Sequence, residues 1–455
     1  MNPLSLRGAL AGALALLLLT PVVSGQAGGV VVYKADAAWL DAETRIAPAY
    51  VTVRDGEIQA VSARAPRGGR TVELAGTLAA GFVDAWSGLL PGDLLAGNGG
   101  PGDEQVRDGL PVDLAGADPQ LAARVAAARA AGVAAAYLPA RGSGLQRGLG
   151  TTVVFSANDL PTPAGLEGVD MATGSGRGEG VAALTDAGAL TEALVQAETY
   201  REAREDWEEK LEKHAKDLEE YAKKLDEYVA KKAKGDKEKK DGGGAPGQDE
   251  GDKKDGNGKT ESGPPKRPER PKEPSRNAER ELLLRVLDGE LPLRVHLGQA
   301  HELRELIAIK ERFELDRVIA VGAEEADLLA RELAAAEIAV VLAVAPQHGS
   351  RAAAERSLAV RYRRLTDAGV EVALASGGSD GAQGLLLLRA GELIAAGADP
   401  AAVWASLTEI PARLLGLEGS HGRIARGARA ELVLFQGASP FDASAPFEAL
   451  PGGRR

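Results

Sequence analysis

Five histidines are the only imidazoles in this chain of 455 residues: His214, His296, His301, His348 and His421. There is no cysteine, so disulfides, thiolate zinc sites, iron–sulfur clusters and thiol nucleophiles are excluded. Metal-activated water, or a hydroxyl activated by a base, would have to draw on these imidazoles and on nearby carboxylates. His296 ends the run Leu-Pro-Leu-Arg-Val-His-Leu at 291–297, and His301 lies about one helical turn beyond it. His348 follows the apolar run 338–344, and Asp380 stands in Ser-Gly-Gly-Ser-Asp after the run 370–376. Each has a plain reading beside the catalytic one: a buried histidine, a solvated loop residue, a carboxylate capping a helix. His421 lies in a Gly-rich loop and His214 on a long helix, both apart from this group. Gly142-Ser143-Gly144 and Gly174 to Gly178 could cradle a phosphate, but neither has the strand–turn–helix setting of a dinucleotide fingerprint, and flexible loops explain both.

Elements that could place these residues follow from hydrophobic periodicity. Residues 29–62 alternate as strands around an Asp55-Gly56 hairpin turn, and 71–86 continue as strand. A helix is expected over 118–131, ending at Gly132, then buried strands before 138 and over 150–157. After 280, strands 291–297, 317–322, 338–344 and 370–376 alternate with helices 277–288, 299–313, 323–336, 351–367 and 383–396. That alternation implies a parallel sheet with both faces covered. Asp399-Pro400 opens a further helix as N-cap and first-turn proline. Residues 419–435 return to short strands. Neither end has enough strands to stand alone, so 28–78 and 418–446 are expected to combine into one β-sandwich.

Between the two halves the pattern changes. Trp207, Leu211, His214, Leu218, Tyr221, Leu225 and Tyr228 are spaced alternately four and three apart, an a/d seam on a helix expected over 190–232. The run 233–280 is Lys, Asp, Gly and Pro with few apolar residues and is expected to be a disordered linker. Residues 201–280 carry 22 basic and 22 acidic side chains, so the rest of the chain bears the whole net charge of −12. That argues against nucleic-acid binding, which needs a basic face. The aromatic seam suggests self-association or docking of a partner through 190–232, against the plain alternative of a solvated arm. Residues 1–25 have a positive Arg7, an apolar run from Ala9 to Leu19 and then Pro21 and small residues, the pattern of a secretory signal. No second run of membrane-spanning length follows, so a periplasmic or secreted protein is expected.

Three segments together resemble the amidohydrolase superfamily, closest to its imidazolonepropionase-like members. They are Arg-Asp-Gly-Glu-Ile-Gln-Ala-Val-Ser-Ala from 54 leading to Thr77-Leu-Ala-Ala-Gly-Phe-Val-Asp-Ala-Trp-Ser-Gly-Leu89, then Leu291 to Ala300, then Ala401 to Gln436. The resemblance implies a distorted TIM-like (β/α)8 barrel over 79–189 and 281–417, a composite β-sandwich from both chain ends, and a long charged helical insertion. It implies hydrolysis of non-peptide C–N bonds with one or two divalent metals. The family draws its ligands from a D-x-H-x-H motif on strand one, a Lys or Glu after strand four, His after strands five and six, and Asp after strand eight.

Here the first motif reads Asp84-Ala85-Trp86-Ser87-Gly88, so Trp86 and Gly88 stand where the two His would be. No Lys lies between Lys34 and Lys210, and Gly322 stands near the strand-six His. By resemblance His296 and Asp380 remain as metal ligands, with Asp380 also the general base. A divalent metal, zinc or similar, is implied if the protein is active, and none is expected to bind tightly to two ligands. Three functions stay open: an exported amidohydrolase-like hydrolase with an altered site, a catalytically inactive binding or assembly subunit, and a periplasmic ligand-binding protein that uses the barrel mouth without a metal.

Overall fold

The computed structural model describes residues 29–89, 119–140, 145–155, 161–173, 181–238, 263–345, 356–377, 381–437, 439–441 and 447–450. The first strands alternate buried and exposed side chains and form a small sheet. They are β1 (Val31–Trp39), β2 (Arg45–Ile46), β3 (Ala49–Arg54), β4 (Glu57–Ser62) and β5 (Arg70–Ala80). Asp55 and Gly56 make the β3–β4 turn with positive φ. From the other end of the chain come β15 (Leu432–Phe435) and β16 (Phe447–Leu450), and the order is β16-β15-β5-β1-β3-β4 with β2 beside β1. The chain just before β15 reaches the opposite edge: Ile58 N donates to Ala428 O, and Gly427 N to Ile58 O. The sheet thus curls around one core of Val51, Val53, Ile58, Leu78, Ile424 and Leu432. The two ends complete each other, as their patterning requires.

The second sheet is a barrel. Its strands are β6 (Phe82–Asp84), β7 (Val133–Leu138), β8 (Gln146–Phe155), β10 (Gly168–Ala172), β11 (Leu293–His296), β12 (Val318–Val321), β13 (Ala339–Ala343) and β14 (Val372–Ala375), with a short β9 (Pro161–Pro163) beside β8. β10 to β14 pair in parallel. Helix α1 (Pro119–Ala130) connects β6 to β7, a parallel pair. β8 departs from the alternating pattern: it runs antiparallel to both β7 and β10, joined to β7 by a hairpin connection too short for a helix. Closure is incomplete but direct, since Gly377 N donates to Trp86 O and Ser376 N to the Asp84 carboxylate, tying the end of β14 to the end of β6.

The inserted helix α2 runs Val181–Glu238, longer at both ends than the sequence suggests. At roughly 1.5 Å per residue it is about 87 Å long. Leu190, Leu194, Ala197 and Tyr200 are buried against the body, and no described residue of α2 is buried after Tyr200. The expectation of disorder over 233–280 needs correction where the structure describes it. The helix continues to Glu238, and residues 263–277 run back along it before α3 (Ala278–Leu287). Pro265, Pro268, Pro271, Pro274 and Asn277, every third residue, are half-buried, and the residues between them are exposed. That is the period of a polyproline II helix, which needs no apolar run to present a packing face. Residues 239–262 lie outside the described residues.

Candidate functional site at the barrel mouth

The residues singled out from the sequence fall into three groups. His296 and Trp86 meet at the C-terminal ends of β11 and β6, with ring centroids 5.4 Å apart and edge to face. Gly88 is buried nearby and offers no side chain. Asp380 and His348 lie outside the described residues. His301 starts the helix α4 (Ala300–Arg312), with its Nε2 buried and unpartnered among the described residues. His214 is on the arm, its Nε2 3.4 Å from Pro268 O. His421 lies between barrel and small sheet, its Nδ1 2.8 Å from Ser420 Oγ. Burial, with Arg429 adding to it, pushes His421 down to about 4, so the ring is neutral at neutral pH.

His296 is 16% exposed at its side chain and is held from below by Asp170, which is fully buried on β10. A carboxylate oxygen has no hydrogen to give, so Nε2 donates to Asp170 Oδ1, at 3.0 Å. Asp170 Oδ2 accepts from Tyr137 Oη at 2.9 Å and from Ala140 N at 2.8 Å. Arg294, also fully buried, brings its Nε to 3.7 Å from Asp170 Oδ1, stacks over the Tyr137 ring at 3.8 Å and donates to Ala85 O at 2.6 Å. Burial and the neighbouring Asp170 hold the Tyr137 phenol far above its ordinary value. The β8 backbone passes so close that a Cβ on Gly150 would lie 2.3 Å from both Asp170 Oδ2 and Tyr137 Oη.

Sequence reasoning missed this group. Its signal was there in hindsight: Asp170 and Arg294 are lone charges inside the apolar strand runs Gly-Val-Asp-Met-Ala and Leu-Arg-Val-His, and a charge in a buried strand must find a partner. Residues 170 and 294 are Cα partners across the β10–β11 ladder.

Asp84 does different work. It accepts from Ser376 N at 2.9 Å, Ser376 Oγ at 2.6 Å and Trp86 N at 3.3 Å, and so fastens β14 to β6. Burial pushes it up to about 6, against the opposing pull of its hydrogen bonds. Gln383 Nε2 donates to Ser87 Oγ at 2.9 Å on the same seam. Trp86 itself lies over Gly322, whose φ is +72°; a Cβ there would fall 3.1 and 3.2 Å from two indole ring atoms.

Among the described residues these do not by themselves make a hydrolytic metal site. Among the described residues no three His, Asp or Glu side chains converge on one point. The imidazole at the mouth gives Nε2 to Asp170, a partner that also orients metal-ligating histidines, and so has only Nδ1 left as a donor. The neighbouring positions present an indole and a bare glycine, and neither has a lone pair to donate.

No family model matches the chain, and no curated protein matches its sequence. Solved structures do. An amidohydrolase from Thermotoga maritima MSB8 superposes with a TM-score of 0.63 at 20% identity, over 93% of this chain and 98% of that one. The resemblance to the amidohydrolase superfamily is thus borne out as a shared fold. Weaker likenesses include molinate hydrolase (TM-score 0.47, 15% identity, 94% and 95% covered). Another is an adenosine deaminase from Xanthomonas campestris with bound zinc (0.44, 16%, 89% and 84%).

Proposed function

We propose that this chain is an exported protein of amidohydrolase fold whose barrel has given up metal-dependent hydrolysis and serves as a binding or assembly subunit. The observation that carries the reading is the fit of Trp86 onto Gly322. The resemblance places a metal-ligating His at each of these positions. Instead an indole fills the space, and the absence of a side chain at 322 admits it. Two ligand positions are thus given over to one packing contact. A third, Gly88, is empty of donors, and no candidate for the bridging Lys lies between Lys34 and Lys210. A catalytic metal is held by several ligands acting together, so losing this many weakens binding by orders of magnitude.

Elemental analysis of full-length protein purified without chelator tests this. The expected content is well under one zinc, iron or manganese per chain. Stoichiometric metal that is lost on His296→Ala would restore the hydrolase. Export is supported by the charged, apolar and small-residue order of 1–25, and N-terminal sequencing of the exported protein tests it. No described helix is long and apolar enough to cross a membrane.

One observation favours the hydrolase reading. A buried carboxylate orienting an imidazole at the C-terminal end of a barrel strand is an arrangement used for general-base catalysis. If that reading holds, amide or carbamate hydrolysis should survive exhaustive dialysis against chelator and vanish in His296→Gln, whose amide can still donate to Asp170, with the thermal transition retained.

A further inference from the structure

The inserted arm carries two ladders in register. On α2, Tyr200, Trp207, His214, Tyr221 and Tyr228 recur every seven residues, each an aromatic or imidazole ring with a polar tip. On the returning strap, Pro274, Pro271, Pro268 and Pro265 recur every three. Seven helical residues advance about 10.5 Å and three polyproline II residues about 9.3 Å, so the rungs of the two ladders nearly coincide. Two rungs fix the pairing: Trp207 Nε1 donates to Pro271 O at 3.4 Å, and His214 Nε2 lies 3.4 Å from Pro268 O. Tyr200 and Pro274 line one cleft at the base of the arm. Proline rings pack well on flat aromatic faces, and the carbonyls between them are free to accept because a polyproline II helix has no internal hydrogen bonds. Charge matches as well. Residues 263–277 hold Lys266, Arg267, Arg270, Lys272 and Arg276 against Glu269 and Glu273, while helix residues 200–220 are predominantly acidic.

We infer that the α2 seam is a polyproline-recognition face whose ligand is a basic segment with proline at every third position, and that the chain supplies this ligand itself as residues 263–277. The face extends past its resident ligand: the proline period stops at Pro265, while the ring ladder runs on to Tyr228, and Val229 beside it is 57% exposed. A partner with the same spacing and one more proline rung therefore reaches a surface the strap's prolines do not. The inference stands apart from the reading of the barrel, because no residue of the arm belongs to the mouth.

The test uses the full chain with Pro265, Pro268, Pro271 and Pro274 all changed to Ser, and a synthetic peptide of residues 263–277 as probe. Trp207 emission and far-ultraviolet helicity are the readouts. The peptide should bind the variant and shift Trp207 emission, and should bind the wild-type chain at least tenfold more weakly, because there the tethered strap already occupies the face. A peptide with the same four prolines replaced should bind neither. If the variant loses helicity, the native peptide should restore it. A variant that ignores the peptide, or takes the proline-free peptide equally well, overturns the inference. So does a variant that becomes a dimer by light scattering and is not dissociated by the peptide, since the seam would then be a coiled-coil face for a second copy.

Discussion

The indole of Trp86 and the bare backbone of Gly322 occupy one space at the barrel mouth: a Cβ at 322 would stand 3.1 Å from the ring. Gly322→Ala is expected to destabilise the protein by about 1–3 kcal/mol, through overpacking and a strained positive φ. Trp86→Ala in the same chain should recover the overpacking part, leaving a coupling energy of about 0.5 kcal/mol or more in a double-mutant cycle. Additive denaturation midpoints would show that the two residues do not share the space.

The Asp170 group should behave as one unit. Asp170→Ala leaves Arg294 as an uncompensated buried charge, and about 3–5 kcal/mol of stability should go with it. Tyr137→Phe removes one neutral donor and should cost about 1–3 kcal/mol. Asp170→Ala combined with Arg294→Met should cost less than the two single losses summed, because no unpaired charge remains. Urea denaturation of the wild type, the three single variants and the double variant distinguishes a coupled network from independent contacts.

Asp84 and His421 should give the fold pH dependences of opposite sign. Asp84 is raised from 3.8 to about 6, so its folded state holds a proton that the unfolded state releases. Its contribution is full below pH 3.8 and is lost as pH rises through 6. His421 is lowered from 6.5 to about 4, so its contribution is full above pH 6.5 and is lost as pH falls through 4. Each spans about two units, or about 3 kcal/mol. In the wild type the two slopes oppose one another between pH 4 and 6. Asp84→Asn should therefore lose stability more steeply on acidification than wild type, and His421→Gln should gain it. Guanidinium midpoints across this range that are parallel for all three proteins would contradict both assignments.

The barrel should not need the arm. Trp207 and Pro271 are in contact, so residues 208–270 can be replaced by a short Gly-Ser turn without moving either end. The shortened protein should keep one cooperative thermal transition within a few degrees of the full chain. Loss of that transition would mean that the arm is part of the folding unit.

Periodicity alone determined much of this protein. The α/β alternation after 280 was legible because buried parallel strands are short apolar runs between amphipathic helices, and β11 to β14 fall within the expected segments. The joining of the chain ends was legible because each lacked the strands to cover itself. That positions 86, 88 and 322, where the resemblance implies histidines, hold Trp and Gly could also be read in the sequence. Other features depended on what touches what across the fold. The reversal of β8 is set by a hairpin with no helical repeat to betray it. Asp170 and Arg294 become a pair only when β10 and β11 lie side by side, across an insertion of more than a hundred residues. That Trp86 fills the space over Gly322 is a matter of packing volume, which no residue type states by itself. The strap was misread for a related reason: hydropathy counts proline as a breaker, whereas a ladder of prolines is an apolar face once a helix with rings at a matching spacing lies beside it. Sequence fixes which groups must be buried or satisfied; the tertiary structure alone decides which partner does it.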